Sequence, residues 1–481
     1  MSRRMWSVGW LPWVLLAGCD GAGSIKVGGN DDTGTPAGDA DTDTDADTDT
    51  DTDTDTAPAG PLSDLSWRLH DEFESLVYVT WTQRDPGPVH VEFSFDPGEW
   101  RASPEFDGVA GVNEQLLVGI PYETDATWRV MTAAGETLDG ETISTDPLPR
   151  GFPQPIAEIG DATKWITGGN YLLSSINSRV GGWTGGNYYT FIVDRQGRIV
   201  WARLTPDQNW TLYSQVAQSG DHIMWDEATY WNSWDDGAGS TVHRGYLDEE
   251  IEVIDTPGLH HAWVQLPGDV LVWGSQDHGG EEALVERGPT DDDERILWTC
   301  REDWPGSTDC ESNGIFYSPE RDSFLYSFYT NNSLVEVDHQ TGASLWWAGE
   351  VPGGFSFVPE DTQFSWQHGV SWTDAGTLLV STFYADGGGR GTTAAREYIV
   401  DEAAGTLTNI WTFDPGVHAD TNGDAWRLDN GNTLHVVGSS GNLYEVGPDG
   451  EVLWHLDFDG THLLGRGEFI DDLYTFVSPR D

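Results

Sequence analysis

Short runs of alternating apolar and polar residues, broken by turn clusters, characterise the chain from residue 61 onward. In the runs 77–81, 89–93 and 127–130 every second residue is Val, Phe or Trp. A period of two predicts strands with one buried face. From residue 150 onward no segment has a convincing helical period. The pattern therefore predicts an all-β protein.

About seven of these strands fall in residues 61–148, separated by clusters such as Asp85-Pro86-Gly87. That density of strands is typical of an immunoglobulin-like or fibronectin type III β-sandwich. Pro147 and Pro149 mark its end. The segment carries no catalytic pattern, so we expect it to act as a spacer or packing domain.

A longer unit repeats through residues 149–481. A turn followed by an apolar strand recurs about every 52 residues, beginning at Gly169, Gly220, Gly268, Asp322, Gly376 and Gly431. In most repeats a second hairpin follows, ending at Trp201, Trp298, Trp347, Trp411 or Trp454. Two hairpins per repeat make one four-stranded blade, and six repeats predict a six-bladed β-propeller.

Tryptophan takes two positions in this repeat. The tryptophans that end the outer strands recur at the same position of the repeat and are predicted to fill the core between blades. Trp263 and Trp366 lie outside that position, near turns, and are candidates for lining a pocket.

The N terminus has the features of an export signal. Arg3 and Arg4 precede an apolar stretch that ends in Leu16-Ala17-Gly18-Cys19, which resembles a bacterial lipobox. We predict a signal peptide over 1–19 and lipidation of Cys19, which would anchor the protein in the cell envelope, periplasmic or surface-exposed. The alternative is an ordinary signal peptide with an accidental cysteine.

Residues 20–60 are rich in Asp-Thr repeats and have almost nothing apolar to bury. They are therefore predicted to form a disordered tether.

Charge and cysteine content narrow the function. The formal net charge is −58, and only eleven acidic residues lie in 31–55, so the folded part is also strongly acidic. Nucleic acid is therefore excluded as a partner, and any anionic substrate needs a local cluster of cations.

Cys300 and Cys310 are the remaining cysteines, and an even number in an exported protein predicts a disulfide; two free thiols are the alternative. No second pair of ligands accompanies them, so no metal site is predicted.

Two histidines share one phase of the repeat. His261 lies seven residues before Gly268, and His368 lies eight residues before Gly376. Loops that enter the innermost strands of a propeller meet at one mouth of the central channel. We therefore expect these two side chains to be neighbours, although they are far apart in sequence.

The segments around these histidines resemble the arylsulfotransferase family over roughly residues 150–470. The matching motifs are Gln367-His368, the strand from Gly376, Asp386 to Arg390, Arg396-Glu397-Tyr398 through to Trp411, the earlier pair His260-His261 and the final Leu428 to Leu434 unit. The family also combines an immunoglobulin-like domain with a six-bladed propeller. Family membership implies transfer of a sulfuryl group between phenols through a sulfated histidine, without a nucleotide donor or other cofactor.

The resemblance assigns roles to residues of this chain. Arg390 would clamp the sulfuryl oxygens, while His261 and His368 would hydrogen-bond those oxygens or protonate the leaving phenolate. Trp263 and Trp366 would stack on the aryl ring. His260 and Arg396 would complete the substrate-binding set.

One feature of the family pattern is missing. The expected nucleophilic histidine of the last blade is absent from 438–443, and His435 and His418 are the nearest replacements.

A non-catalytic propeller that binds an aryl or carbohydrate ligand is the alternative function. A third hypothesis, a calcium-assisted adhesion module, rests on the alternating oxygens of 420–424 but lacks the later Glu of a calcium loop.

Overall fold

Strands dominate the computed structural model, which describes residues 60–181, 185–229, 237–277, 282–290, 294–304, 310–384 and 391–479. All of them belong to one compact unit, Pro58–Asp481. The predicted signal peptide, almost all of the predicted tether, Cys19 and Arg390 lie outside the described residues. The fold is all-β, as the alternating pattern predicts. Helices are short: an α-helix at Cys300–Asp303 and 3-10 helices at Ala162–Lys164, Pro206–Gln208, Glu360–Thr362, Gly438–Ser440 and Leu473–Phe476.

Nine strands form two sheets at the N-terminal end. They are β1 (Leu62–Leu69), β2 (Val77–Gln83), β3 (Gly87–Asp96), β4 (Glu99–Ala102), β5 (Phe106–Gly108), β6 (Gly111–Leu117), β7 (Asp125–Thr132), β8 (Thr137–Asp139) and β9 (Ile143–Ser144). One sheet has the order β1-β2-β6, and the other is built on the β3-β7 pair. In β2 buried residues alternate with partly exposed ones, and Trp81 and Trp128 from the two sheets share one buried cluster.

Six sheets, which we number 1 to 6, follow strand β10 (Ile156–Ile159), and their strands pair antiparallel except for one parallel edge strand in sheet 5. Sheet 1 contains β11 (Tyr171–Asn177), β12 (Tyr188–Asp194) and β13 (Ile199–Leu204). Sheet 2 contains β14 (Ser214–Val216), β15 (Ile223–Glu227), β16 (Thr241–Gly245) and β17 (Glu250–Asp255). Sheet 3 contains β18 (Leu259–Leu266), β19 (Val270–Ser275), β20 (Ala283–Arg287) and β21 (Arg295–Thr299).

The remaining sheets have the same strand order. Sheet 4 contains β22 (Ser312–Ser318), β23 (Ser323–Phe328), β24 (Ser333–Asp338) and β25 (Ser344–Gly349). In sheet 5 the strand β26 (Ser356–Val358) is added at the outer edge, parallel to β30, and the antiparallel strands, counted as first to fourth, are β27 (Ser365–Trp372), β28 (Leu378–Tyr384), β29 (Thr392–Asp401) and β30 (Thr406–Phe413). Sheet 6 contains β31 (Asp424–Arg427), β32 (Thr433–Val436), β33 (Asn442–Val446) and β34 (Val452–Asp457). Each turn of the sequence repeat precedes the strand that is second from one edge of its sheet, namely β11, β15, β19, β23, β28 or β32.

The first and last of these sheets are completed by strands from the opposite end of the unit. β35 (Glu468–Ile470) pairs with β11 in sheet 1, and β10 pairs with β34 in sheet 6. The buried pair of Arg195 and Glu445, 2.7 Å apart, joins sheets 1 and 6. The early and late parts of the repeat region are therefore bound together by backbone pairing and by an ion pair.

Burial explains the two kinds of strand in this region. β12 is buried along its whole length, because both of its faces lie against other parts of the protein, and it is correspondingly apolar. The outer strand β17 is mostly exposed. Trp201, Trp298 and Trp454 at outer-strand positions are almost completely buried and are core residues, whereas Trp347 and Trp411 at the same position of the repeat are only partly buried.

Candidate functional site

The first strands of sheets 3, 4 and 5 lie next to one another and carry the histidines that share a phase. β18 contacts β22, and β22 contacts β27. His260 and His261 lie in β18, and His368 lies in β27. The sequence pattern predicts these histidines in loops before the strands; they lie within the strands themselves.

Bulges interrupt all three strands where the polar residues occur. The register shifts between Leu259 and Trp263 in β18, between Ser312 and Gly314 in β22, and on both sides of His368 in β27. Bulges redirect side chains and are common beside functional sites. They explain how strands that are otherwise packed into a core present imidazoles to one shared space. The ring centroids of His261 and His368 are 6.4 Å apart.

Glycine allows the next strand to approach His368. Gly369 has φ +36°, and a Cβ atom there would lie 2.3 Å from the Asp424 carboxylate and 2.4 Å from its Cα. Only glycine accommodates both the backbone conformation and this contact with β31.

Backbone contacts fix the orientation of the His368 ring. Its Nδ1 donates a hydrogen bond to the carbonyl of Trp366 at 2.9 Å. A neutral imidazole with a proton on Nδ1 has its lone pair on Nε2. Gln367 holds the same segment by donating to the carbonyls of Phe328 and Ser333.

A buried hydrogen-bond chain leads to His261. His260 Nδ1 and His261 Nδ1 are 2.8 Å apart, and His260 Nε2 lies 3.0 Å from a carboxylate oxygen of Glu282. Glu282 also accepts from Gln276 at 2.5 Å and from the Tyr326 hydroxyl. His260, Glu282 and Tyr326 are nearly inaccessible to solvent, so the chain is an internal support for His261.

Burial keeps both histidines neutral. It is the main cause that lowers the pKa of His368 to about 4, against a smaller raising effect of the hydrogen bond to Trp366. It also lowers the pKa of His261 well below its ordinary value, with further contributions from His260 and His368. At neutral pH the site therefore presents two uncharged imidazoles, which act as bases or nucleophiles rather than as acids.

Aromatic side chains border the imidazoles. The Tyr329 ring lies 6.4 Å from His368 at an interplanar angle of 14°, and 5.8 Å from His261. Its hydroxyl donates to Glu311. Trp366 lies 6.0 Å from Tyr329, is 49% exposed and has φ +49°. An aromatic residue in the left-handed region is strained, and here it leaves a large apolar ring about half exposed to solvent, two residues before His368.

The other predicted residues lie in different places. Trp263 is completely buried in a hydrophobic cluster rather than in a pocket. Arg396 lies in β29, two strands away from β27, and interacts with Tyr398. His435 is completely buried in β32, 3.2 Å from Ser381. His418 contacts the carbonyl of Gly391 and the carboxylate of Asp420 at 2.8 Å each.

Two further predictions concern 300–310 and 420–424. A disulfide joins Cys300 and Cys310, whose Cα atoms are 6.3 Å apart. In the proposed calcium segment the side-chain oxygens of Asp424 accept hydrogen bonds from Ala425 and Trp426. Within the described ranges no group of three or more His, Cys, Asp or Glu side chains is arranged to hold a metal ion. No helix in the same ranges is long and apolar enough to cross a membrane.

Sequence reasoning missed Glu282, Tyr326 and Tyr329. Glu282 comes just before the third strand of sheet 3, whereas Tyr326 and Tyr329 lie at the end of the second strand of sheet 4 and just after it. Comparing the ends of the neighbouring strands, and not only the first strands, at matching positions of the repeat identifies all three residues.

A second polar cluster is centred on Arg466 and lies against the strands β14, β18, β22 and β31. The guanidinium of Arg466 lies 3.9 Å from the Trp426 ring and 3.5 Å from the Asp424 carboxylate. A cavity of about 200 Å³ is lined by Arg466 together with residues of β14, β18, β22, β31 and β35. None of the histidines above lines this cavity.

The sequence matches no family model, and it matches no curated protein at a significant level. Among solved structures, a Bacteroides caccae protein of unknown function is 14% identical, with 59% of this chain and 92% of that one covered and a TM-score of 0.39. The periplasmic gluconolactonase of Pseudomonas aeruginosa is 13% identical, with 80% and 99% covered and a TM-score of 0.38. Virginiamycin B lyase of Staphylococcus aureus is 10% identical, with 63% and 89% covered and a TM-score of 0.36. Similarities this low assign neither a fold nor an activity to the chain.

Proposed function

We propose that the protein is a six-bladed β-propeller enzyme, preceded by an immunoglobulin-like sandwich, that transfers a sulfuryl group from an aryl sulfate to a phenol. Three features support the proposed architecture. Six sheets follow one another in sequence, β18, β22, β27 and β31 of sheets 3 to 6 are in contact in turn, and β35 and β10 complete the first and last sheets. Strands shared between the two ends of a repeat region are a means of closing a ring of blades.

The pairing of two neutral imidazoles is the observation that carries the proposed chemistry. The rings of His261 and His368 lie 6.4 Å apart at an interplanar angle of 58°, beside Tyr329, which in turn contacts the exposed ring of Trp366. Because the pKa of His368 is about 4, its Nε2 lone pair is available at neutral pH. His368 therefore takes the role of the nucleophile that the family pattern places in the last blade.

The reaction has two steps. In the first, His368 Nε2 attacks the sulfur, the bond from sulfur to the aryl oxygen breaks, and a phenolate leaves, taking a proton from solvent. In the second, His261 accepts the proton of the acceptor phenol, the phenol oxygen attacks the sulfur, and the nitrogen–sulfur bond breaks. His261 then releases this proton to solvent, so donor and acceptor have exchanged one sulfuryl group and both imidazoles return to their neutral state.

Charge stabilisation is the remaining requirement, because the sulfuryl oxygens are negatively charged. Arg390, between β28 and β29, is the cation that the family resemblance provides, and the neighbouring Gly391 contacts His418. Trp366 and Tyr329 offer ring faces to an aryl substrate.

A non-catalytic function is the second candidate. Trp366 is exposed and conformationally strained, whereas His261 and His368 are mostly buried. An exposed aromatic ring above buried polar groups also suits simple binding of an aryl or carbohydrate ligand.

One assay separates the two functions. The full chain is incubated with 4-nitrophenyl sulfate with and without phenol, and nitrophenol, phenyl sulfate and sulfated protein are measured. Enzymatic transfer produces phenyl sulfate, depends on the acceptor, and gives a sulfated peptide that contains residue 368. His368→Asn abolishes these products, whereas His455→Asn, which changes a histidine held by Glu158 and Asn442 in another sheet, leaves them unchanged. Quenching of tryptophan fluorescence by the sulfate ester without turnover supports the binding function instead.

Anchoring in the cell envelope through Cys19 is part of the proposal. It is supported by the lipobox-like Leu16 to Cys19 and by the acidic segment that follows. Radioactive palmitate labels the expressed full chain, and Cys19→Ser prevents labelling and moves the protein to the soluble fraction. Equal labelling of the variant would refute lipidation at this cysteine.

A further inference from the structure

The support of His261 is a buried carboxylate with two hydrogen-bond donors and a histidine nitrogen as its third contact. Gln276 donates to Glu282 at 2.5 Å, the Tyr326 hydroxyl donates to its other oxygen, and His260 Nε2 lies 3.0 Å away. Burial and the Glu282 charge raise the pKa of Tyr326 well above its ordinary value, so the hydroxyl keeps its proton. Glu282 therefore accepts a hydrogen bond on each of its two oxygens.

The role of Glu282 as a hydrogen-bond acceptor determines where the protons of the two histidines lie. An ionised carboxylate only accepts, so His260 donates to it through Nε2–H. A neutral His260 then has its lone pair on Nδ1, which accepts from His261 Nδ1–H across 2.8 Å. This places the lone pair of His261 on Nε2, as in His368.

We infer that Glu282 and His260 are positioning residues, which hold His261 in the tautomer protonated on Nδ1 so that Nε2 serves as the base in the reaction. The catalytic part of this inference rests on the proposed function. The tautomer itself follows from the hydrogen-bond chain and does not depend on any particular substrate. Neither residue touches the reacting atoms; both act through His261.

The surrounding backbone is built to hold this chain in place. Cys300 N–H donates to the Glu282 carbonyl at 3.0 Å, beside the disulfide. A Cβ atom at Gly274 would lie 2.7 Å from the Tyr326 hydroxyl oxygen and 2.9 Å from Glu282 Oε1. Glycine at this position leaves the space that the carboxylate and the hydroxyl occupy. The hydrogen-bond chain is therefore fixed from sheets 3 and 4 together.

The test is a direct measurement of tautomers in the full chain labelled with ¹⁵N-histidine, at neutral pH. The expected spectrum assigns a protonated Nδ1 and an unprotonated Nε2 to His261, and the reverse pattern to His260. Signals are assigned by their loss in His261→Asn and His260→Asn. A wild-type His261 protonated on Nε2 would overturn the inference.

Glu282→Gln tests the cause. The amide can donate as well as accept, so a single proton arrangement is no longer enforced, and the His261 signals shift toward a mixture of tautomers. For sulfuryl transfer we expect kcat to fall by about tenfold to a hundredfold, the usual cost of losing a supporting hydrogen bond. KM for the sulfate ester should stay within about twofold, because the substrate does not touch Glu282.

Glu336→Gln is the matched control. Glu336 is equally buried, in sheet 4, and accepts from Ser323, Arg321 and Trp346. It should lower stability without changing the His261 tautomer, and a shift as large as that of Glu282→Gln would overturn the inference. If Glu282→Gln does not fold, the ¹⁵N-histidine spectrum of the wild type alone tests the tautomer of His261. Absence of sulfuryl transfer in a wild-type protein with the expected tautomers refutes the proposed function and supports the positioning geometry.

Discussion

Acid sensitivity of the fold should depend strongly on His435, which lies in β32 and is completely buried. Burial lowers its pKa to about 3, whereas a histidine in an unfolded chain titrates near pH 6.5. Between these values the unfolded state binds a proton that the folded state does not. The stabilisation is therefore complete above about pH 6.5 and decreases as the pH falls toward 3.

The size of the effect follows from the two pKa values. At pH 5 about thirty unfolded chains in every thirty-one are protonated at this residue, so the free energy of unfolding falls by about 2 kcal/mol relative to pH 7. Nδ1 of His435 has no hydrogen-bond partner within the described residues, and Nε2 has only the Ser381 hydroxyl. Nothing in those contacts would stabilise an imidazolium.

Urea unfolding at pH 7 and pH 5 measures this contribution. His435→Gln should lose about 2 kcal/mol less than the wild type between the two pH values, even though the variant is less stable at pH 7. Ser381→Ala removes the hydroxyl but keeps the titrating ring, so it should retain the full acid loss. An unchanged pH dependence in His435→Gln would show that this imidazole does not titrate as its burial requires. Retention of sulfuryl transfer in the same variant would also exclude His435 as the nucleophile.

Three other predictions concern stability and ligand binding. Replacing Cys300 and Cys310 by Ser removes a short cross-link, and thermal or urea unfolding should show a loss of about 3 kcal/mol; no loss on reduction of the wild type would contradict this. Glu445→Gln leaves the guanidinium of Arg195 buried without a counter-charge, which should cost about 3 kcal/mol or more in the same assay, and a neutral result would mean that solvent reaches the pair. Trp366→Ala should weaken binding of an aryl ligand about tenfold in fluorescence or calorimetric titration while leaving the melting temperature unchanged, since the ring is half exposed; unchanged affinity would place the ligand elsewhere.

Much of the architecture could be predicted because it is encoded locally. Each recurring turn, such as Gly268 or Gly376, lies directly before the second strand of a sheet, and the tryptophans at Trp201 and Trp454 are buried where their phase predicts. A period of two and a repeat of about 52 residues reflect backbone geometry and the size of one sheet. Both patterns can therefore be recognised in the sequence without information about contacts between distant residues.

The site was only partly predictable. A shared phase correctly suggested that His261 and His368 are neighbours, but it placed them in loops, whereas bulges in β18 and β27 bring them into one space. Trp263, chosen for its position near a turn, is buried in the core. Bulges and burial depend on how neighbouring sheets pack, so the local pattern does not reveal them.

The amino-acid sequence by itself determined the strand-rich class, the repeat and the neighbouring positions of two histidines, because periodicity and turn residues act over short distances. Only the tertiary structure decided the state of those histidines. Their neutral form comes from burial, and the proton positions come from Glu282 and from the Trp366 carbonyl. These are consequences of long-range packing, since desolvation and hydrogen-bond partners at the site are contributed by strands far apart in the chain.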